Sequence, residues 1–244
     1  SSGLGSTARS AWVNDKINVG SFAASFVYTL TSGAGGADGV TFCLQNQAVN
    51  AVGGGGGGLG YSGLTPSVAL ALNIYDPNTR GIRWLTGGTV TTPFFPVAPV
   101  LIGGNANPVQ VNLNYSGGVL AATFKDTVTS ATFTTNLVVD IPGALGSSTA
   151  WVGFTGADGG VTSTQIITDF SLAGQPFAMK SRRVGNNLVL SWPASAGAFL
   201  KQTPTLTNPV WSDCTALFRV VGDEAQVTIT PLAGDQFYRL LIMP

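Results

Sequence analysis

The stretch Gly36-Ala37-Asp38-Gly39-Val40-Thr41-Phe42-Cys43-Leu44-Gln45-Asn46 decides the fold. A turn holding one acid among small residues runs directly into an alternating segment. Val40, Phe42 and Leu44 fall on one face and Thr41, Cys43 and Gln45 on the other, the period of a β-strand. Six glycines follow at Gly53 to Gly58, and then a nearly charge-free strand from Ser67 to Tyr75. Because only glycine visits positive φ freely, the glycine run reads as a flexible or specially shaped loop.

The same pattern recurs outward from this point. Phe22 to Leu30 alternates, with Phe22, Ala24, Phe26, Tyr28 and Leu30 on one face. Asp76-Pro77-Asn78-Thr79 is a turn signal, with a return strand at Gly81 to Leu85. Thr89 to Pro99 carries three prolines and reads as an edge or a loop. Pro108 to Tyr115 and Val119 to Asp126 flank Ser116-Gly117-Gly118, a hairpin signature. Ala131 to Asp140, Ala150 to Thr155 and Thr164 to Leu172 continue the series, the last two around a second loop, Gly156-Ala157-Asp158-Gly159-Gly160. Gly-Ala-Asp-Gly thus occurs twice, at 36–39 and 156–159.

Composition agrees with an all-β chain. Charged residues make up 9% of the sequence, against about 25% in an ordinary soluble domain. Gly, Thr, Ser, Val and Asn stand where Lys and Glu usually sit, which favours strands and tight turns. Some ten strands at regular spacing predict a two-sheet sandwich over residues 1–173. Residues 174–244 carry a second series of short strands, Leu188 to Trp192 through Phe237 to Ile242, and predict a small immunoglobulin- or fibronectin-like β-sandwich.

Several functions are excluded or made improbable by what the chain lacks. Formal net charge is zero, and the largest basic cluster is Lys180, Arg182 and Arg183, so the footprint of a nucleic-acid binder is missing. No apolar run reaches the roughly 18 residues of a membrane span. The chain as given opens without a basic, apolar leader, and the expectation of a secreted or surface protein rests on composition. Cys43 and Cys214 lie far apart and read as buried free thiols, with an interdomain disulfide as the alternative.

The order acid turn, strand, glycine loop, strand resembles the legume-type (L-type, concanavalin A-like) lectin domain, especially its bacterial secreted relatives. Four pieces carry the resemblance: Ser10-Ala11-Trp12 through Phe26, Ala37-Asp38-Gly39, Gly57-Gly58-Leu59-Gly60, and Trp151-Val152-Gly153-Phe154-Thr155-Gly156. It implies a jelly-roll sandwich and a carbohydrate site built by loops distant in sequence. By that likeness Asp38 accepts sugar hydroxyls, often across a cis Ala–Asp peptide, and the Gly58 loop offers a backbone N–H. Asn78 and the loop of Gly156, Ala157 and Asp158 would complete the site. Two hydroxyl hydrogen bonds to one carboxylate give directional, charge-assisted recognition. Tyr61, Tyr75 and Trp84 are the aromatic residues available to cover a sugar face, though each also fits a core or sheet-surface position.

The chain departs from the family at its metal site. The family's strand carries a Glu and an Asp two residues apart, ligating a transition metal and calcium. Ala71 and Asn73 stand in those places, and no histidine exists to supply an imidazole. A transition metal is therefore not expected. For calcium, Asn73, Tyr75 through its carbonyl, Asp76 and Asn78 offer a few oxygens with one carboxylate among them, a weak site at most.

The sandwich also hosts glycosidases, which use paired carboxylates. Glu224, in the second strand series, is the single glutamate, so an enzyme is not expected. Two readings follow from this. The first is a secreted, non-catalytic domain that binds a glycan or polysaccharide. The second is a structural subunit that self-assembles into an extracellular filament, sheath or surface layer. For the latter, the family's sandwich usually has a strand before the point where this chain starts, and an edge left open there would pair with a second copy.

Overall fold

The computed structural model describes residues 7–31, 36–174, 179–193, 198–222, 224–230 and 235–242. Most of the expected acid turn is included, but residues 32–35, which open it, lie outside the described residues, as do 175–178 at the expected domain boundary.

Residues 8–174 form strands β1 (Ala8–Trp12), β2 (Ile17–Asn18), β3 (Phe22–Leu30), β4 (Gly39–Gln45), β5 (Ser67–Asn73) and β6 (Gly81–Thr86). They continue with β7 (Val109–Ser116), β8 (Val119–Asp126), β9 (Thr132–Val138), β10 (Thr149–Ala157) and β11 (Gln165–Gly174). One sheet runs β1-β10-β4-β5-β6, with β2 also on β10, and the other runs β11-β3-β7-β8-β9. Every pairing is antiparallel. The architecture is the concanavalin A-like jelly-roll sandwich.

Side chains from the two sheets meet in one core. Phe26 of β3 stacks on Phe42 of β4 at 6.1 Å between centroids, and Phe154 of β10 meets both rings edge-on. Phe22, Leu70, Leu72, Val111, Phe124 and Val152 extend the cluster, each essentially inaccessible to solvent. The alternation read from β3 is present, since Phe22, Ala24, Phe26 and Tyr28 are buried and the residues between them are half-exposed.

β4 and β5 depart from simple alternation because they are buried along their whole length on both faces. Their second face carries Cys43, Ala69 and Ala71, over which Leu59, Tyr61, Leu64, Leu85 and Phe94 close a second apolar cluster. Leu59, Tyr61 and Leu64 come from the segment around the glycine run, Leu85 from β6 and Phe94 from the proline-bearing loop after it. The Tyr61 hydroxyl is satisfied by Ser67 Oγ at 2.8 Å and the Gly88 amide at 3.2 Å, so this aromatic is a core residue. Trp84 likewise packs against the main core.

The start of β1 and one short helix were not visible in the pattern, although Ala11-Trp12-Val13 reads as a strand piece. β1 begins inside the polar N-terminal stretch, because Ala8, Arg9 and Ser10 pair with Ala157, Gly156 and Thr155. A single-turn helix α1 (Ile141–Leu145) follows β9, capped by the Asp140 carboxylate, which accepts from the Gly143 amide at 3.0 Å.

Beyond residue 178, β12 (Lys180–Val184), β13 (Asn187–Pro193), β14 (Ala198–Thr203), β15 (Ser212–Asp213), β16 (Phe218–Val221), β17 (Glu224–Ile229) and β18 (Phe237–Ile242) form two further sheets. Their orders are β12-β13-β17-β16 and β15-β14-β18. A separate apolar cluster around Trp192, Leu190, Leu200 and Val227 lies with them. Trp211 is half-buried, with the Arg239 guanidinium 4.2 Å above its ring. Cys43 is buried and Cys214 half-buried, and both are free, so the interdomain disulfide does not form.

Candidate functional site

Strand register brings the two Gly-Ala-Asp-Gly turns together. Gly39 opens β4 and lies opposite Ala157 of β10 on one side and Asn73 of β5 on the other. A Cβ on Gly39 would collide with the Leu72 carbonyl, so this crossing of three strands accepts only glycine. One residue earlier, Asp38 donates its amide to the Ala157 carbonyl and accepts from the Ile74 amide, both at 3.0 Å. The Ala37–Asp38 peptide is cis, as the resemblance anticipated.

The glycine run is specially shaped rather than slack. Gly53 and Gly54 donate to the carbonyls of Gly60 and Ser62, Gly60 donates back to Gly54, and Gly56 to Gly58 form a 3-10 turn. The Gly56 amide reaches across to the Asp158 carbonyl at 3.1 Å. The Gly58 amide donates to the Gly55 carbonyl at 3.0 Å, so it is engaged inside the turn and not offered outward as its expected role requires. Gly57 is the exposed residue of the turn, facing open space.

Asp38 is only 6% exposed, and its Oδ2 is buried without a hydrogen-bond partner. A Cβ built on Gly159 would lie 3.1 Å from that oxygen, and one on Gly56 3.8 Å from it, so the two loops meet over the carboxylate. Burial lifts the Asp38 carboxyl above its usual range, the nearby Asp158 charge adds to the rise, and the Gly159 amide partly offsets it.

The other expected site residues divide between buried and exposed positions. Gly156, Ala157 and Asp158 are buried. Asp158 accepts from Thr7 Oγ1 and from the Ser163 amide, each at 3.4 Å, and its own amide donates to the Thr7 carbonyl at 2.9 Å. Its carboxylate therefore fastens loops together. Asn78 is exposed at the end of a 3-10 turn, Asp76–Asn78, and its amide donates to the Tyr75 carbonyl at 3.1 Å.

Sequence reasoning missed Ser163 and Gln165, which approach the Ala37 carbonyl at 2.8 and 3.5 Å. Thr41, Thr155 and the Leu59 carbonyl form a buried hydroxyl chain behind the site, at 2.7 and 2.8 Å. These are ordinary residues whose importance lies only in where the fold puts them.

The residues present do not fit a divalent cation. Ala71 has no donor and is sealed in the second apolar cluster. Asn73 uses its amide nitrogen, donating to the Tyr75 and Thr79 carbonyls at 3.0 Å each. An amide so placed presents hydrogens where a metal would need oxygens. Among the described residues, no group of three His, Cys, Asp or Glu side chains could hold a metal.

No family model matches the chain. Solved structures do resemble it. The acidic lectin of winged bean, in complex with methyl-α-D-galactose, superimposes with a TM-score of 0.57 at 19% identity, over 69% of this chain and 80% of that one. Lectin I-B4 of Griffonia simplicifolia, in a metal-free form, gives 0.59 at 20% identity over 71% and 83%. The basic winged bean lectin with Tn-antigen gives 0.56 at 22% identity over 70% and 82%. At these identities the likeness establishes a shared fold, that of the legume lectins.

Proposed function

We propose that residues 1–173 form a non-catalytic carbohydrate-binding domain of a secreted or cell-surface protein, with residues 174–244 as an appended β-module. The observation that carries this reading is Asp38 Oδ2, an acceptor with no partner where three loops from distant parts of the chain converge. Winged bean and Griffonia lectins share this sandwich, and the acidic winged bean lectin is known with a bound galactoside. A sugar hydroxyl would meet the lone pairs of Asp38 once Gly56 and Gly159 separate, with the exposed backbone at Gly57 and Gly160 and the exposed Asn78 bordering the ligand. Glycoside hydrolysis is disfavoured because Asp158, the nearest second carboxylate, is fully buried and internally bonded. Glu224, for its part, is bound to Lys180 at 2.7 Å. A glycan array with wild type and Asp38→Ala tests the reading. Binding lost in the variant supports it, and a wild type that binds nothing, or binds equally after substitution, sinks it.

One observation favours self-assembly as a second reading. β9 (Thr-Phe-Thr-Thr-Asn-Leu-Val) is the last strand of its sheet and carries neither charge nor proline, and Val138 is 85% exposed. Such an edge invites a strand from a second copy. Light scattering of wild type and Thr134→Pro distinguishes the readings, since only strand addition at β9 predicts an oligomer that the proline disperses.

A further inference from the structure

The acid turn is held against the 75–80 loop by a set of bonds that leaves no task for a metal. Ile74 is the hinge of this set: its amide donates to the Asp38 carbonyl at 3.0 Å and its carbonyl accepts from Arg80 Nε at 3.2 Å. One residue before it, the Asn73 carboxamide spans the loop by donating to both the Tyr75 and Thr79 carbonyls. Two carbonyls on one side of the amide require that its nitrogen, not its oxygen, faces them. Arg80 also lies 3.5 Å from the exposed carboxylate of Asp76. A Cβ on Gly104 would meet its guanidinium 2.5 Å away, so the 103–104 turn packs directly onto this side chain.

We propose that this chain holds its binding loops without a divalent cation, the Asn73 amide and the Arg80 guanidinium supplying the positive ends that a bound metal would otherwise provide. Carbonyl oxygens turned toward one another repel unless something positive lies between them. A metal does this with its charge, and here two amide hydrogens and a guanidinium do it with fixed N–H groups. Those groups cannot be removed by a chelator or by a fall in free calcium. The inference rests on the lectin-like reading only for its consequence, that any glycan binding survives chelation. The structural claim stands on the loop alone.

Thermal unfolding of the full chain tests it without a glycan. The wild type is expected to melt at the same temperature in excess EDTA and in millimolar calcium, within about 1 °C, and to give no heat of calcium binding by titration calorimetry. Asn73→Asp keeps the shape but replaces the donor with an anion facing two carbonyls. In EDTA its melting temperature is expected to fall by about 3–8 °C. A wild type stabilised by calcium, or an Asn73→Asp variant as stable in EDTA as the parent, would overturn the proposal. If Asn73→Asp does not fold, the wild-type calcium titration still decides. A failed glycan array would leave both thermal results unchanged, so the two readings fail separately.

Discussion

Ser163 Oγ donates to the Ala37 carbonyl over 2.8 Å, fastening the loop after β10 to the residue that precedes Asp38. This bond and the Asp38–Ala157 main-chain bond make the acid turn and the late loop one unit.

Ser163→Ala should therefore cost more than a surface serine would. The Ala37 carbonyl keeps only the long contact from Gln165 at 3.5 Å. A buried acceptor left nearly unsatisfied costs about 1–3 kcal/mol. Urea unfolding monitored by tryptophan fluorescence measures it, and a change below about 0.5 kcal/mol would show that this fastening is not needed.

Asp38 makes stability fall as pH rises. Its carboxyl titrates above the ordinary 3.8 in the folded chain, through burial first and the Asp158 charge second. Below 3.8 both states hold the proton and the group is neutral to folding. As pH climbs from 3.8 through the raised folded value, the unfolded chain releases the proton first and the native state loses stability. Asp38→Asn removes this dependence. The melting temperature of wild type relative to Asp38→Asn should thus be most favourable near pH 4 and decline toward pH 7.

Asp126 works in the opposite sense. Its carboxylate accepts from the amides of Thr129 and Val128 at 2.8 and 2.9 Å and from the Asn107 side chain at 3.0 Å, closing the turn between β8 and β9. The Thr129 amide first, then Asn107, holds its pKa below 3.8. Its stabilisation is present above 3.8 and disappears as pH falls through the depressed folded value. Asp126→Asn should lower the melting temperature at neutral pH, with the deficit shrinking as pH falls from 3.8 to the depressed folded value. A deficit that stays constant with pH would refute the assignment.

Gly39→Ala should be the most damaging small substitution near the site. Gly39 has φ of 147° and sits where a Cβ would strike the backbone of β5. Neither neighbour can rotate aside, so a loss of about 3 kcal/mol or more is expected, or a chain that does not fold. Gly57→Ala, in open space, should cost less than about 1 kcal/mol and serves as the control.

How far the sequence could be read depends on the kind of information each feature carries. β3 was legible because its alternation matches one buried face and one half-exposed face. The alternation of β4 was equally clear, but it gave no sign that Thr41, Cys43 and Gln45 would be covered as well. That covering depends on a long-range event, the folding of 51–64 back over β4 and β5. The meeting of Asp38 with the 156–159 turn was suggested by the family likeness and the repeated tetrapeptide, and strand register produces it. That Asp158 would be buried, and that the Gly58 amide would be engaged, were not legible, because both depend on loop geometry settled by partners far along the chain.

The enclosure of β4 between β10 and β5, with apolar clusters above and below, also sets a timescale. Amide hydrogens along Val40 to Leu44 can exchange with solvent deuterium only when the whole sandwich opens, whereas those of the 54–60 turn need no more than a local excursion. The molecule should therefore show a slowly labelling spine directly beneath a quickly labelling mouth, and ligand capture would register first as slower labelling of that mouth.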